Sequence, residues 1–386
     1  MKMIPYGRQF IDDNDIIAVQ KVMKNIFITT GKEVNKFEKL FSKFVGSTHS
    51  VSCSSGTSGL LLAYLALGIK KNDVIIMPSI NFIASMNMAH FLGAKIFLTD
   101  VHPLTGQMQP EDLKKCIKRN KIKKINTVII MHNGGVPSDM EGFLNLKRKY
   151  KFNIIEDACH ALGAKYNYNK KHKVGGCKYS ELSVFSFHPV KHITTGEGGM
   201  VTTNNKVLFE KLKILRNHGI LRKSSFKKFE WSYDIIDSGF NFRLSDIQCA
   251  LGISQLKKLN LFIKRRRDIA KIYKKKLSSL KELINFTDDT KEKIAAYHLF
   301  IINLNLDKVK ISRDELIKKL SKSKILTQVH YIPIFKFSFN KRLLKRKYIF
   351  KNATKYFKSS LSIPIYYGLT NKEINFVCEK LIKNIK

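Results

Sequence analysis

Residues 48–68 read THSVSCSSGTSGLLLAYLALG. The first part, THSVSCSS, reads as a strand. A short run of hydroxyl and glycine residues follows, and GTSGLLLAYLALG then reads as a helix. The succession recurs downstream. DVIIMPS (73–79), AKIFLTDV (94–101), INTVIIMHN (125–133), FNIIEDAC (152–159) and LSVFSFH (182–188) are short runs rich in Val, Ile and Phe. Helix candidates such as FIASMNMAHFLG (82–93) and DMEGFLNLKRKY (139–150) lie between them. Strand and helix in alternation predict an α/β fold with a mostly parallel sheet covered by helices on both faces.

The pattern changes near residue 245. Residues 244–280 keep apolar side chains at helical spacing for about nine turns. Beyond them, YHLFIINL (297–304), ILTQVHYIPI (325–334) and a closing helix from Asn371 suggest a small α+β domain. At 386 residues the chain exceeds a single small domain. The expected division is a large domain over 1–250 and a linking helix plus small C-terminal domain over 251–386.

The formal charge is +40, which raises nucleic-acid binding as a rival function. Of the 70 basic residues, however, 58 are Lys and 12 are Arg, whereas base-edge reading and bidentate phosphate clamping favour Arg. The lysines are spread along the chain, and no zinc finger, basic-region heptad or RNP-type aromatic motif is present. The charge reads as a solvated surface without specific nucleic-acid recognition. The six cysteines form no C-x-x-C pair, so neither a zinc site nor a disulfide framework is indicated. His188 and His192 have metal-ligand spacing for a helix, but Pro189 between them argues against a regular helix. No apolar run approaches the roughly 20 residues that span a bilayer, and the N-terminal stretch has no apolar signal core. Cytoplasmic location is the expectation.

In doubly wound sheets, ligands bind beyond the carboxyl ends of the strands. Four segments place polar groups there. SSGTSG (54–59) opens a helix with free backbone N–H groups, which suit a phosphate, although Ser54, Ser55 or Thr57 could equally be a plain helix cap. IIEDACH (154–160) sets Asp157 after an apolar run, where an acid can pair with a cationic ring nitrogen or a metal. SVFSFHPVKHITTGEGGMVTTN (183–204) sets Lys191 between an apolar run and a glycine cluster, five residues after Ser186. A lysine partly desolvated there can lose its proton and attack a carbonyl. GFNFRLSDIQ (239–248) brings Asn241 and Arg243 before the long helix, with Ser245 a candidate cap. Phosphate donors, a strand-end Asp and a strand-end Lys together point to pyridoxal 5'-phosphate, which needs a phosphate cup, a carboxylate for its pyridinium and an amine for its aldehyde.

SFHPVKHITTGEGG, with EDACHALG before it and GFNFRLSDIQCALGISQLKK after it, resembles the DegT/DnrJ/EryC1/StrS nucleotide-sugar aminotransferases. The resemblance runs from IPYGRQ at residue 4 to SLSIPIYYGLT at 360–370. It implies a fold-type I, aspartate-aminotransferase-like homodimer with a large domain built on a mostly parallel sheet of the seven-stranded type. By the same resemblance, Lys191 carries the cofactor covalently and acts as general acid/base, and Asp157 pairs with the pyridinium nitrogen. His160 sits beside the phenolic oxygen at a position where many relatives carry Gln. Thr57, Ser58 and Ser186 bind the phosphate, Phe82 stacks on the ring, and Asn241 reaches the phosphate of the neighbouring subunit's cofactor. His330, with Tyr6 and His188, lines the sugar pocket.

One branch of the superfamily replaces the lysine with His and dehydrates. Lys191 holds that position here, which favours transamination. HALG, RNHG and QVHYIPI are most similar to the branch that makes UDP-4-amino-4,6-dideoxy-N-acetyl-β-L-altrosamine for pseudaminic acid, from a UDP-linked 4-keto sugar with L-glutamate as amino donor. Aminotransferases for other nucleotide-linked 4-keto sugars, of the GDP-perosamine, bacillosamine or legionaminic acid type, remain the alternative.

Overall fold

The computed structural model describes residues 2–166, 172–222, 229, 231–286, 293–344 and 348–386. Seven five-residue strands form the main sheet: β1 (His49–Cys53), β2 (Val74–Pro78), β3 (Lys95–Thr99), β4 (Thr127–Met131), β5 (Asn153–Asp157), β6 (Leu182–Ser186) and β7 (Gly199–Thr203). Their order is β1-β7-β6-β5-β4-β2-β3. Strand β7 runs antiparallel to both its neighbours, and the other paired strands are parallel. The mostly parallel α/β sheet expected from the alternation is therefore present.

Period-two alternation explains why the strands read as unbroken apolar runs. Val128, Ile130, Ile154 and Phe185 point into a core on one face, with Phe37, Phe41 and Phe143. Their neighbours Ile129, Ile155 and Val184 point into a core on the other face, with Leu60, Leu62 and Tyr64. Both faces are thus dry, as a parallel sheet under two helical layers requires. Each such fully buried side chain contributes about 1.5–3 kcal/mol relative to exposure.

The helix Asp246–Lys276 ties this sheet to the rest of the chain. Ser245 caps it, in a reciprocal capping box with Gln248. Ile253, Leu259 and Phe262 join the first core. Ile269 and Tyr273, further along, join a third core with Phe300, Leu316, Leu361 and Val377. That third core packs around a small antiparallel sheet of β10 (Ile284–Phe286), β11 (Phe300–Leu304) and β12 (Ser360–Ile363). Strands β8 (Ile220–Leu221) and β9 (Asp234–Ile235) make a separate ribbon. Ile4 also belongs to the third core and forms a parallel bridge with Ile325. Its N–H donates to the Lys324 carbonyl at 2.9 Å, and its carbonyl accepts from Leu326 N–H at 2.9 Å.

Two local arrangements are set by contacts distant in the sequence. ILTQVHYIPI forms only single bridges, Ile325 to Ile4 and Gln328 to Ser362, and Gln328 to Ile332 line a cleft. The helix Lys32–Val45 has Gly31 at its N-cap and no side chain of its own there. Asp246 caps it from outside, accepting from Gly31 N–H at 2.7 Å and Glu33 N–H at 2.9 Å.

Candidate active site

Strands β5 and β6 are parallel neighbours with Asp157 opposite Val184. Asp157 and Ser186, the last residues of these strands, therefore emerge on the same edge of the sheet. The helix Gly56–Ala66, which follows β1, starts at that edge too. A cleft of about 590 Å³ opens there. Tyr6, Thr57, Phe82, Asp157, His160, Ser186, His188, Lys191 and His330 all line it. Nine of the residues singled out in the sequence thus converge from six separate segments.

Two do not line the cleft. Ser58 is buried, and its hydroxyl accepts from the Ser55 N–H at 2.9 Å while the Ser55 hydroxyl accepts from Ser58 N–H at 3.0 Å. Ser58 here is half of a capping box, and Ser55 and Thr57 stand at the cleft wall. Asn241 is exposed, away from the cleft, and bridged to Asn217.

The start of helix Gly56–Ala66 is built for an anion. Its first N–H groups, at Gly56 and Thr57, have no intrahelical partner and carry the positive end of the helix dipole. A Cβ at Gly56 would lie 3.0 Å from Ser186 Cβ and 3.2 Å from Cys159 Sγ. The glycine therefore keeps the helix start in close approach to the Ser186 hydroxyl. Asn81 lines the same cleft, buried, and both its amide atoms lack a partner among the described residues. A phosphate cup, a strand-end carboxylate, an amine and an unpaired amide in one cleft fit pyridoxal 5'-phosphate.

Lys191 Nζ lies 3.5 Å from His298 Nε2. Burial pushes the Lys191 amine below the ordinary lysine range, with Cys159 and Asp157 working in the opposite direction. Asp157 is 3% exposed and accepts from Ser85 Oγ at 3.5 Å and Cys159 N–H at 3.3 Å. Four histidines surround the amine. His160 Nε2 meets the Tyr331 hydroxyl at 2.9 Å, and His330 Nδ1 meets Ser362 Oγ at 2.9 Å. His192 Nε2 lies 3.0 Å from the Ala296 carbonyl. The His160 and His298 rings are 4.3 Å apart. Burial, then the Lys191 charge, pushes His330 down to about 3. The same two causes drive His160 and His298 well below the ordinary histidine range, and His192 falls likewise through burial and then Arg266.

Beneath Asp157, Glu156 points to the other face of the sheet and is fully buried. His132 Nε2 contacts it at 2.7 Å, Ser183 Oγ at 3.0 Å, and Tyr166 and Ser180 also donate to it. Burial opposes its charge, but these donors and His132 outweigh burial and hold the carboxyl below the usual range. The sequence reading missed Asn81, His298 and Tyr331, although His298 and Tyr331 stand in the quoted segments YHLFIINL and ILTQVHYIPI. The five thiols other than Cys159 are buried, none of the six is in a disulfide, and no group of metal-binding side chains occurs among the described residues. No described helix is long and apolar enough to cross a membrane.

The profile of the DegT/DnrJ/EryC1/StrS aminotransferase family matches residues 9–382. A Campylobacter jejuni UDP-4-amino-4,6-dideoxy-N-acetyl-beta-L-altrosamine transaminase is 39% identical over 380 residues, covering 98% of this chain and 96% of its own. The Helicobacter pylori aminotransferase PseC, described as involved in the biosynthesis of pseudoaminic acid, superposes with a TM-score of 0.91. It is 28% identical, with 100% of this chain and 99% of that chain covered. A Streptococcus pneumoniae structure described as a sugar aminotransferase in its PMP-form gives a TM-score of 0.89 at 25% identity, covering 98% of each chain.

Proposed function

The chain belongs to the DegT/DnrJ/EryC1/StrS aminotransferase family, and we propose that it moves an amino group from L-glutamate to C4 of a UDP-linked 4-keto-6-deoxy N-acetyl sugar. The product is UDP-4-amino-4,6-dideoxy-N-acetyl-β-L-altrosamine. The observation that carries the reading is the convergence of Lys191, Asp157 and the anion-binding start of helix Gly56–Ala66 in one cleft. The Campylobacter relative supports the sugar.

Pyridoxal 5'-phosphate, when bound, supplies an aldehyde that takes up the amino group and a ring that accepts the electron pair. Lys191 would hold the aldehyde end and would carry a proton to or from the reacting carbons. A positioned group of this kind contributes about 10²–10⁴-fold. Asp157 pairs with the cationic ring nitrogen. Thr57, Ser186 and the helix start hold the phosphate. Ser58 supports that cup through its capping hydrogen bonds. Phe82, half exposed at the cleft, would cover the ring. His160, whose Nε2 meets the Tyr331 hydroxyl at 2.9 Å, would stand beside the phenolic oxygen. Tyr6, His188 and His330 line the sugar side. The excess of positive charge draws in a nucleotide diphosphate and a dicarboxylate.

A homodimer with shared sites accords with two features. Asn241 lies outside its own chain's cleft, and Ile16, Ile17, Met23, Ile26 and Phe27 are exposed together near the N-terminus, Ile26 at 94%. Such an apolar surface suits an interface. The third core supports a division into a large domain, 1–250, and a helix with a small domain, 251–386, with Ile4 reaching across.

The test is a panel of UDP-, GDP- and dTDP-linked 4-keto sugars with glutamate, read by mass spectrometry. Amination of the UDP-linked N-acetyl sugar at C4 is expected. Preference for another nucleotide sugar overturns the substrate, and no amination of any member overturns the reaction.

A further inference from the structure

Among the described residues, His298 is the histidine whose ring nitrogen comes within hydrogen-bond distance of the Lys191 amine, at 3.5 Å, and nothing in the sequence motifs draws attention to it. Its placement is dictated from three sides. Arg266, 2% exposed and at hydrogen-bond distance from no carboxylate among the described residues, donates to the carbonyls of Tyr297 and His298 at 3.1 Å and of Ile365 at 2.9 Å. Gly135, at φ +90°, leaves room for His298 N–H, which a Cβ there would approach to 3.1 Å. Tyr297 itself adopts φ +50°, a conformation that a bulky residue keeps only when its surroundings enforce it. A strained residue held by a buried guanidinium therefore aims the His298 ring at Lys191.

The hydrogen-bond inventory then fixes where the His298 proton sits. Nδ1 is buried with no partner among the described residues. A neutral imidazole has one N–H and one lone pair, and a stranded N–H is the costlier of the two to leave unpaired. The proton belongs on Nε2, which faces Lys191 Nζ. An Nε2–H can donate to an amine but not to an ammonium, which has no lone pair. Were Lys191 charged, the imidazole proton would have to move to Nδ1 and lose its partner.

We propose that His298 is a positioning residue for Lys191, whose Nε2–H donates to the Nζ lone pair and favours the free amine. The inference rests on the reading of Lys191 as the reacting amine. The other groups facing the pair are His160, His192 and His330, which burial and the neighbouring positive charges hold neutral, Arg266, whose charge disfavours a second proton on His298, and Asp157 and Cys159, which favour the ammonium.

The test uses the full chain loaded with pyridoxamine 5'-phosphate, in which the lysine amine is free. Competitive acetylation of Lys191 across pH, quantified by peptide mass spectrometry, gives the midpoint at which the amine titrates. The donor-free His298→Phe should raise that midpoint by about one to two units, the unpaired-donor cost expressed on the pH scale. His298→Gln, which keeps an N–H near the Nε2 position, should restore it to within about half a unit. A merely structural role would leave the midpoint unmoved. Equal midpoints in wild type and His298→Phe, or a lower one in the variant, overturn the proposal. Should His298→Phe fail to fold, ¹⁵N shifts of the wild-type imidazole decide: Nε2–H supports the proposal and Nδ1–H overturns it. Borohydride trapping of pyridoxal-loaded protein separates the underlying reading, since a label on a lysine other than Lys191 sinks that reading alone.

Discussion

Acid should unfold this protein earlier than its carboxylates explain. His160, His192, His298 and His330 are buried and held below the ordinary histidine range, His330 to about 3. In the unfolded chain each titrates near 6.5. Below that pH the unfolded state binds protons that the folded state refuses, so stability is full above about 6.5 and falls as pH falls. For His330 the loss continues down to about 3. Between pH 7.5 and 5.5 each group contributes about 1.4 kcal/mol of loss, and four give about 5 kcal/mol, comparable to the whole stability of many domains. Glu156 and Asp12, whose carboxyls are held low, are still charged in this window and lose their contribution only further into acid. Urea unfolding followed by circular dichroism at pH 7.5, 6.5 and 5.5 measures the slope. A slope of nearly four protons per unfolding event is expected near pH 5.5, and His192→Asn should reduce it by about one. A stability that is flat or rising from pH 7.5 to 5.5 would refute the buried neutral cluster.

Asp157→Asn keeps the shape and removes the charge, and should lower kcat by at least about 100-fold, or about 2.7 kcal/mol; near-wild-type turnover in a stopped assay excludes Asp157 as the ring-nitrogen partner. Lys191→Ala and a bulky Asn241 variant should each be inactive, yet regain activity when co-refolded, because a mixed dimer then holds one site with neither lesion. Recovery is absent if both residues serve the same chain's cleft. Gly135→Ala forces a Cβ into the His160 carbonyl oxygen and the His298 N–H from a backbone at φ +90°, and should cost about 3 kcal/mol in urea unfolding.

Local chemistry was legible where one segment carried it. The strands announced themselves through dry runs, and Asp157, Ser186 and Lys191 were found because their positions after such runs already imply a strand end. The helix Asp246–Lys276 was visible because its apolar spacing holds for about nine turns and Ser245 marks its start, whereas the capping role of Gln248 shows only in the structure. What escaped depends on contacts distant in sequence. His298 acquires meaning only when Arg266 and the Gly134–Gly135 turn bring its ring to Lys191, 107 positions away. Ser58 and its neighbour Ser55 have nearly the same local sequence, and the capping geometry decides which one faces the cleft. Strand β7 was missed because GMVTT has too few large apolar residues to stand out, and it owes its conformation to pairing on both sides.

The bridge between Ile4 and Ile325 sets an order of events at the ribosome. Strands β1 to β7 are complete in the nascent chain long before Ile325 is made, so the large sheet can close while Ile4 waits. About 320 residues separate the two partners, and at roughly 5–20 residues per second the wait lasts about 16–64 s. Throughout that interval Ile4 is translated but has no core to enter. The last core to form is then sealed by Ile4, a residue made long before its partners, which makes the C-terminal domain the reporter of that segment's integrity.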